Sequence, residues 1–238
     1  MAEHTVKSFE EELEAISTNI AQMGGLAEAV VAGAIDAMVK RDAQLAEQMV
    51  LEDHRIDELE QEVETRAVRM IALRQPMADD LRLGIAAIKI ASDLERIGDL
   101  AANIAKRSIV LQEDFEIPKR LMQGIVRMGR LSQGLLKEVL DAYSNNDPQA
   151  AADVWSSDEE VDAMYNSVFR ELLTYMMEDP RTISACAHLL FVAKNIERIG
   201  DHATNIAESV RYSATGERIV DGRPKADETS TRNLVAGK

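Results

Sequence analysis

The segment DLERIGDLAANIAK at 93–106 returns as NIERIGDHATNIAE at 195–208, with nine of the fourteen positions identical. Around each copy the apolar residues recur at alternating steps of three and four, the stripe of a bundle helix. Val6, Phe9, Leu13, Ile16, Ile20, Met23, Ala27, Val30, Ala34 and Ala37 form a first series. A second runs from Leu45 through Ile56 and Val63 to Leu73, and a third from Leu83 through Leu94 and Ile97 to Leu111. The pattern then restarts. Leu121 to Ala142 matches the first series, Val154 to Tyr175 the second, and Ala185 to Val210 the third, at offsets that differ by a few residues. A tandem duplication of a three-helix unit follows.

Pro76, Pro118, Pro148 and Pro180 fall where that scheme needs breaks. Proline lacks the N–H of a helix interior but suits the first turn, so Asp147-Pro148 and Asp179-Pro180 read as a cap followed by that turn. Asp42 is a candidate cap for the second helix. The expected fold is all-α: a first three-helix bundle over 1–114, a pseudo-symmetric second over 115–215, and a C-terminal tail over 216–238. That tail, GERIVDGRPKADETSTRNLVAGK, has mixed charge and no periodicity, so disorder is expected. Composition agrees, with 46% hydrophobic but only 4% aromatic residues.

Forty-two acids against 27 bases leave a formal charge of −15, which repels nucleic-acid phosphates and anionic lipid. Nucleic acid is not an expected partner. A single cysteine, Cys186, forms no internal disulfide, and the N-terminus lacks a signal-peptide pattern. With no run of about 18 uninterrupted apolar residues, the expected location is the cytoplasm.

The repeated segment places Glu95 one turn before Asp99 and Glu197 one turn before Asp201, beside the apolar seam. The second helix of each unit does likewise, with Asp53 and Asp57 beside Ile56 and Asp158 and Asp162 beside Val161. Roughly seven acid pairs of this spacing arise by chance in a chain so acidic, so one pair alone carries no weight. Retention of the same acids and the same glycine in two copies does. Like charges one turn apart destabilise a helix, and Gly98 and Gly200 each cost about 1 kcal/mol relative to alanine. A hard cation among carboxylates from two facing helices would offset both. Arg96 and Arg198 offer the plainer alternative of ordinary ion pairs. No histidine follows a glutamate by three residues, so the di-iron bundle signature is missing, and His202 reads as incidental because Leu100 holds its place in the other copy. Cys186 and Trp155 read as core residues.

RQPMADDLRLGIAAIKIASDLERIGDLAANIAKR at 74–107 and MMEDPRTISACAHLLFVAKNIERIGDHATNIAESV at 176–210 resemble the paired signatures of the PhoU family of phosphate-transport accessory proteins. The likeness covers about 5–215. It implies metal sites built from E(D)xxxD motifs, carried here by Asp53, Asp57, Glu95 and Asp99 and by Asp158, Asp162, Glu197 and Asp201. The implied cofactor is a divalent or trivalent metal ion, of which Fe, Zn, Mn and Mg are the candidates. The resemblance further implies a non-enzymatic, homodimeric negative regulator of the phosphate-starvation response. Its partners would be the ATPase subunit of the high-affinity phosphate importer and the phosphate-sensing histidine kinase, which alone bring it to the membrane. A carboxylate-bridged metalloenzyme is the alternative.

Overall fold

A computed structural model describes residues 2–74, 76–111 and 119–217, with side chains except at 2–8, 74 and 158. It contains α1 (Ala2–Lys40), α2 (Ala43–Arg74), α3 (Asp79–Val110), α4 (Lys119–Asn145), α5 (Pro148–Ser156), α6 (Asp158–Glu178) and α7 (Ile183–Thr215). A short 3-10 turn, Pro180–Thr182, leads into α7, and no strand occurs among the described residues.

The duplication is visible at the level of individual turns. Arg41 and Asn146, 105 residues apart, both adopt the left-handed conformation, with φ of 53° and 49°. Each is followed by an aspartate whose N–H bonds back across the turn, Asp42 to Ala37 and Asp147 to Ala142, both at 2.9 Å. That aspartate then caps the next helix: Asp42 accepts from the Leu45 N–H, and Asp147 from those of Gln149 and Ala150. Asp179 caps the 3-10 turn instead of a full helix, accepting from the Arg181 N–H at 3.0 Å.

One element departs from the six-helix expectation. α2 runs unbroken, whereas its counterpart is divided into α5 and α6 at Ser157. The cause is local chemistry. Ser156 and Ser157 both turn their hydroxyls onto carbonyls one turn back, those of Ala152 and Asp153, at 3.1 and 2.9 Å. Such bonds compete with the backbone ladder and bend helices. Leu51 and Glu52 hold the equivalent places in α2 and carry no hydroxyl.

α1, α2 and α3 pack together, as do α4, α5, α6 and α7, and the two groups meet along α3 against α7 and α1 against α4. α3 and α7 are antiparallel: Arg107 meets His188, Asp93 meets His202, and Arg82 meets Gly216. Gly24 on α1 lies against Leu140 and Gly129 on α4 against Ile35, which brings those two helices close. The two units therefore share one apolar core, from Ile16, Ile20 and Met23 across Leu94 and Ile97 to Ile196 and Ile199.

One helix approaches membrane-length apolarity although charges interrupt it. Phe9–Lys40 within α1 is long and apolar enough by composition to span a bilayer, with half of its 18-residue apolar window buried inside the protein. Burial against the other helices accounts for its apolarity, as in any central bundle helix. Gly216, at φ 75°, ends α7, its N–H bonding to the Tyr212 carbonyl. The expected disordered tail beyond 217 and the unit boundary near 112–118 lie outside the described residues.

Candidate metal centres

Asp53 projects from α2 onto α3, which carries Glu95 and Asp99, and the charge of Asp57 acts on both Asp53 and Glu95. The glycine of the repeated motif explains how they fit. Gly98 lies directly against the Asp53 carboxylate and Ile56, where a Cβ would collide with Asp53 Oδ1 and come within 2.9 Å of Ile56 Cδ1. The missing side chain is the space that the aspartate fills. Asp53 is 7% exposed, and its Oδ1 is buried without a hydrogen-bond partner. Burial first, and then the nearby charges of Asp57 and Asp99, push its carboxyl up to about 6; Lys106 and His54 act in the opposite direction.

Glu95 is also raised, by burial and by Asp99, with Glu60 and Asp57 adding to the effect and Arg96 opposing it. Glu60, absent from the expected ligand set, is raised for similar reasons: burial, Glu64 and Asp57. Its place was legible, since Asp53, Asp57 and Glu60 follow one another at steps of four and three on one helix face. The first cluster thus holds Asp53, Asp57, Glu60, Glu95 and Asp99. Arg96 reaches across its rim, 3.4 Å from Glu95 Oε2 and 3.3 Å from Asp99 Oδ2, with its own side chain 56% exposed. The ion-pair alternative is realised here, in its weak, solvent-facing form.

In the second unit Asp162 is 2% exposed on α6 and Glu197 4% exposed on α7. Burial pushes the Glu197 carboxyl up to about 7; Asp201 and Asp162 add to this, while Lys194 opposes it. Lys194, also absent from the expected set, holds Glu197 Oε1 at 2.7 Å, and Glu197 Oε2 is buried without a hydrogen-bond partner. Asp158 is the first residue of α6, and its side chain lies outside the described residues.

Seven of the eight expected acids have described side chains, and they lie near one another as two loose groups, one in each unit. Their chemistry suits a hard cation: all-oxygen donors, two of them buried and unmet. Among the described residues, however, no three His, Cys, Asp or Glu side chains gather tightly enough to hold a metal ion as they stand. Oxygen donors of the right kind are present, but the described side chains do not close into a site.

His202 has a structural partner outside the candidate ligand set. Its Nδ1 lies 2.8 Å from Asp93 Oδ1, which also accepts from Asn205 Nδ2 at 3.3 Å, so that α7 is tied to α3 across the junction of the two units. Cys186 is buried in the core, and burial raises its thiol, the opposite of an activated nucleophile. Trp155 packs with 8% exposure and donates to Glu208 Oε1 at 3.0 Å.

Residues 20–108 and 125–210 each match the PhoU domain. The chain belongs to the PhoU family. Its relatives include the "phosphate-specific transport system accessory protein PhoU homolog" of Caulobacter vibrioides, 57% identical over 97% of this chain and all of that one. The Rhizobium meliloti protein of the same description is 50% identical over 98% of each chain. Among solved structures, PhoU from Pseudomonas aeruginosa superposes with a TM-score of 0.85 at 42% identity, over 88% of this chain and 100% of that one. The phosphate transport system regulatory protein PhoU from Streptococcus pneumoniae gives 0.80 at 30% identity, over 89% and 99%. The two PhoU domain matches of this family member coincide with the two copies of the repeat and contain both carboxylate groups.

Proposed function

We propose that this PhoU-family chain is an accessory regulator of high-affinity phosphate uptake, one that holds the phosphate-starvation response off when phosphate is plentiful. Its full-length relatives are phosphate-specific transport accessory proteins, which supports a role in phosphate transport. That end-to-end likeness, extending through both copies of the repeat, is the observation that carries the reading. Docking joins the importer's ATPase subunit to the phosphate-sensing histidine kinase in the cytoplasm, and the protein acts as a homodimer without turnover of its own. Long acidic helical faces suit such docking, since their charge selects basic partner surfaces and speeds encounter.

Divalent or trivalent metal belongs to the same proposal. Asp53, Asp57, Glu95 and Asp99 would hold it in the first unit, and Asp158, Asp162, Glu197 and Asp201 in the second. Mg or Mn suits all-oxygen donors, and Fe or Zn would be held through bridging carboxylates. The metal would supply positive charge that lets the buried acids ionise and ties α2 to α3 and α6 to α7.

Deletion of the gene, with a phosphate-responsive reporter read in abundant phosphate, tests the regulatory role. Reporter expression is expected to rise and to fall again on complementation. A reporter that stays repressed in the deletion strain would overturn the reading.

A further inference from the structure

The two carboxylate groups differ at two places where the repeats align, and both differences act in the same direction. Glu60 in the first unit corresponds to Tyr165 in the second, at the offset of 105 that also relates Asp53 to Asp158. Ser92 in the first corresponds to Lys194 in the second, at the offset of 102 that relates Glu95 to Glu197. At these aligned positions the first unit thus carries a glutamate and a serine where the second carries a tyrosine and an ammonium.

Geometry shows that this ammonium is engaged. Lys194 Nζ is 2.7 Å from Glu197 Oε1 and 5.0 Å from the centre of the Tyr165 ring, the very residue that replaces Glu60. A charge-assisted bond on one side and an aromatic face on the other favour the cation at that spot. The first group's nearest counterparts are looser: Arg96 stands 3.4 and 3.3 Å from its carboxylates with its side chain 56% exposed, against 2.7 Å and 40% for Lys194, and Lys106 is exposed and acts on Asp53 through space. The first group is also the more open at two aligned pairs, Asp57 being 40% exposed against 2% for Asp162 and Glu95 18% against 4% for Glu197.

We propose that Lys194 is a built-in counter-cation of the second carboxylate group, so that the two halves take metal unequally. The first half takes a divalent cation readily, and the second takes it only by displacing the ammonium from Glu197. This rests on the reading of both groups as metal sites. Each half leaves one buried carboxylate oxygen unmatched, Asp53 Oδ1 in the first and Glu197 Oε2 in the second, but only in the second does an ammonium already hold the same carboxylate, Lys194 on Glu197 Oε1.

Calorimetric titration of the chelator-stripped, full-length protein with Mn²⁺ alone tests the proposal. Two steps of different affinity are expected, the tighter lost in Asp99→Asn and the weaker in Asp201→Asn. Lys194→Ser is expected to tighten the weaker step roughly ten- to a hundredfold, the worth of a charge-assisted bond. Ser92→Lys, which leaves the second half untouched, is expected to weaken the tighter step. Equal steps in the wild type, or a weaker step unmoved by Lys194→Ser, would overturn the inequality while leaving the metal reading in place. No Mn²⁺ binding by the wild type or any variant would overturn both.

Discussion

Gly98 on α3 and Asp53 on α2 occupy what is in effect a single site, the aspartate carboxylate lying where the glycine has no side chain. Gly98→Ala gains about 1 kcal/mol of helix propensity but forces Asp53 and Ile56 to move, at a cost of roughly 1–3 kcal/mol. Net destabilisation in urea unfolding is expected. Gly134→Ala is the control, because nothing lies within 4 Å of its Cβ position. It should stabilise the protein by up to about 1 kcal/mol.

The buried acids set a pH dependence. Asp53, pushed up to about 6, and Glu197, to about 7, keep their protons in the folded protein well above the ordinary carboxylate range near 4. Between those values the folded state binds more protons than the unfolded one, so stability falls as pH rises. Their favourable contribution is complete below about pH 4 and lost by about pH 7. Thermal melts of chelated protein should therefore show Tm falling across that window, and Asp53→Asn should flatten the part up to about pH 6. Parallel curves for wild type and variant would contradict this.

Helix periodicity made most of the fold legible, because the seam residues of a bundle recur every three or four positions whatever their neighbours. Ile16, Ile56, Leu94, Ile125, Val161 and Ile199 all lie in the core. The break at Ser157 was not legible from periodicity, since it depends on two hydroxyls bonding backward and leaves the apolar spacing intact. The contact between His202 and Asp93 was hidden for a different reason: it joins residues 109 apart, and only the antiparallel register of α3 on α7 brings them together. Of the candidate site, spacing disclosed the acids on each helix, and Glu60 could have been added by the same rule. Lys194 could not, because a lysine beside a helical glutamate reads as surface charge until burial of the glutamate is known.

The junction between the units offers a direct test. Asp93 accepts from both His202 and Asn205 with its side chain 17% exposed. Asp93→Ala should cost about 1–2 kcal/mol, and a double-mutant cycle with His202→Ala should return a coupling of at least about 0.5 kcal/mol. Additive single effects would mean that the contact contributes nothing to joining the halves.

Trp155 anchors α5 on α7 through both its ring and its N–H. Trp155→Ala should lower stability by about 3–5 kcal/mol, whereas Trp155→Phe keeps the packing and loses mainly the bond to Glu208, about 1 kcal/mol. Chemical denaturation of the two variants separates the contributions; equal losses would assign the anchor to the hydrogen bond.

The proposed function joins metal held by the twin carboxylate groups to docking on the importer's ATPase subunit and the histidine kinase. The measurement is binding of the purified importer ATPase subunit and of the histidine kinase to gently purified protein, beside an Asp99→Asn, Asp201→Asn double variant. Metal content is determined on the same samples. Native protein should carry metal that the variant lacks and should bind both partners more tightly than the variant. Equal binding by the two, with no metal in either, would make the paired acids packing elements and place the regulatory surface elsewhere on the helices.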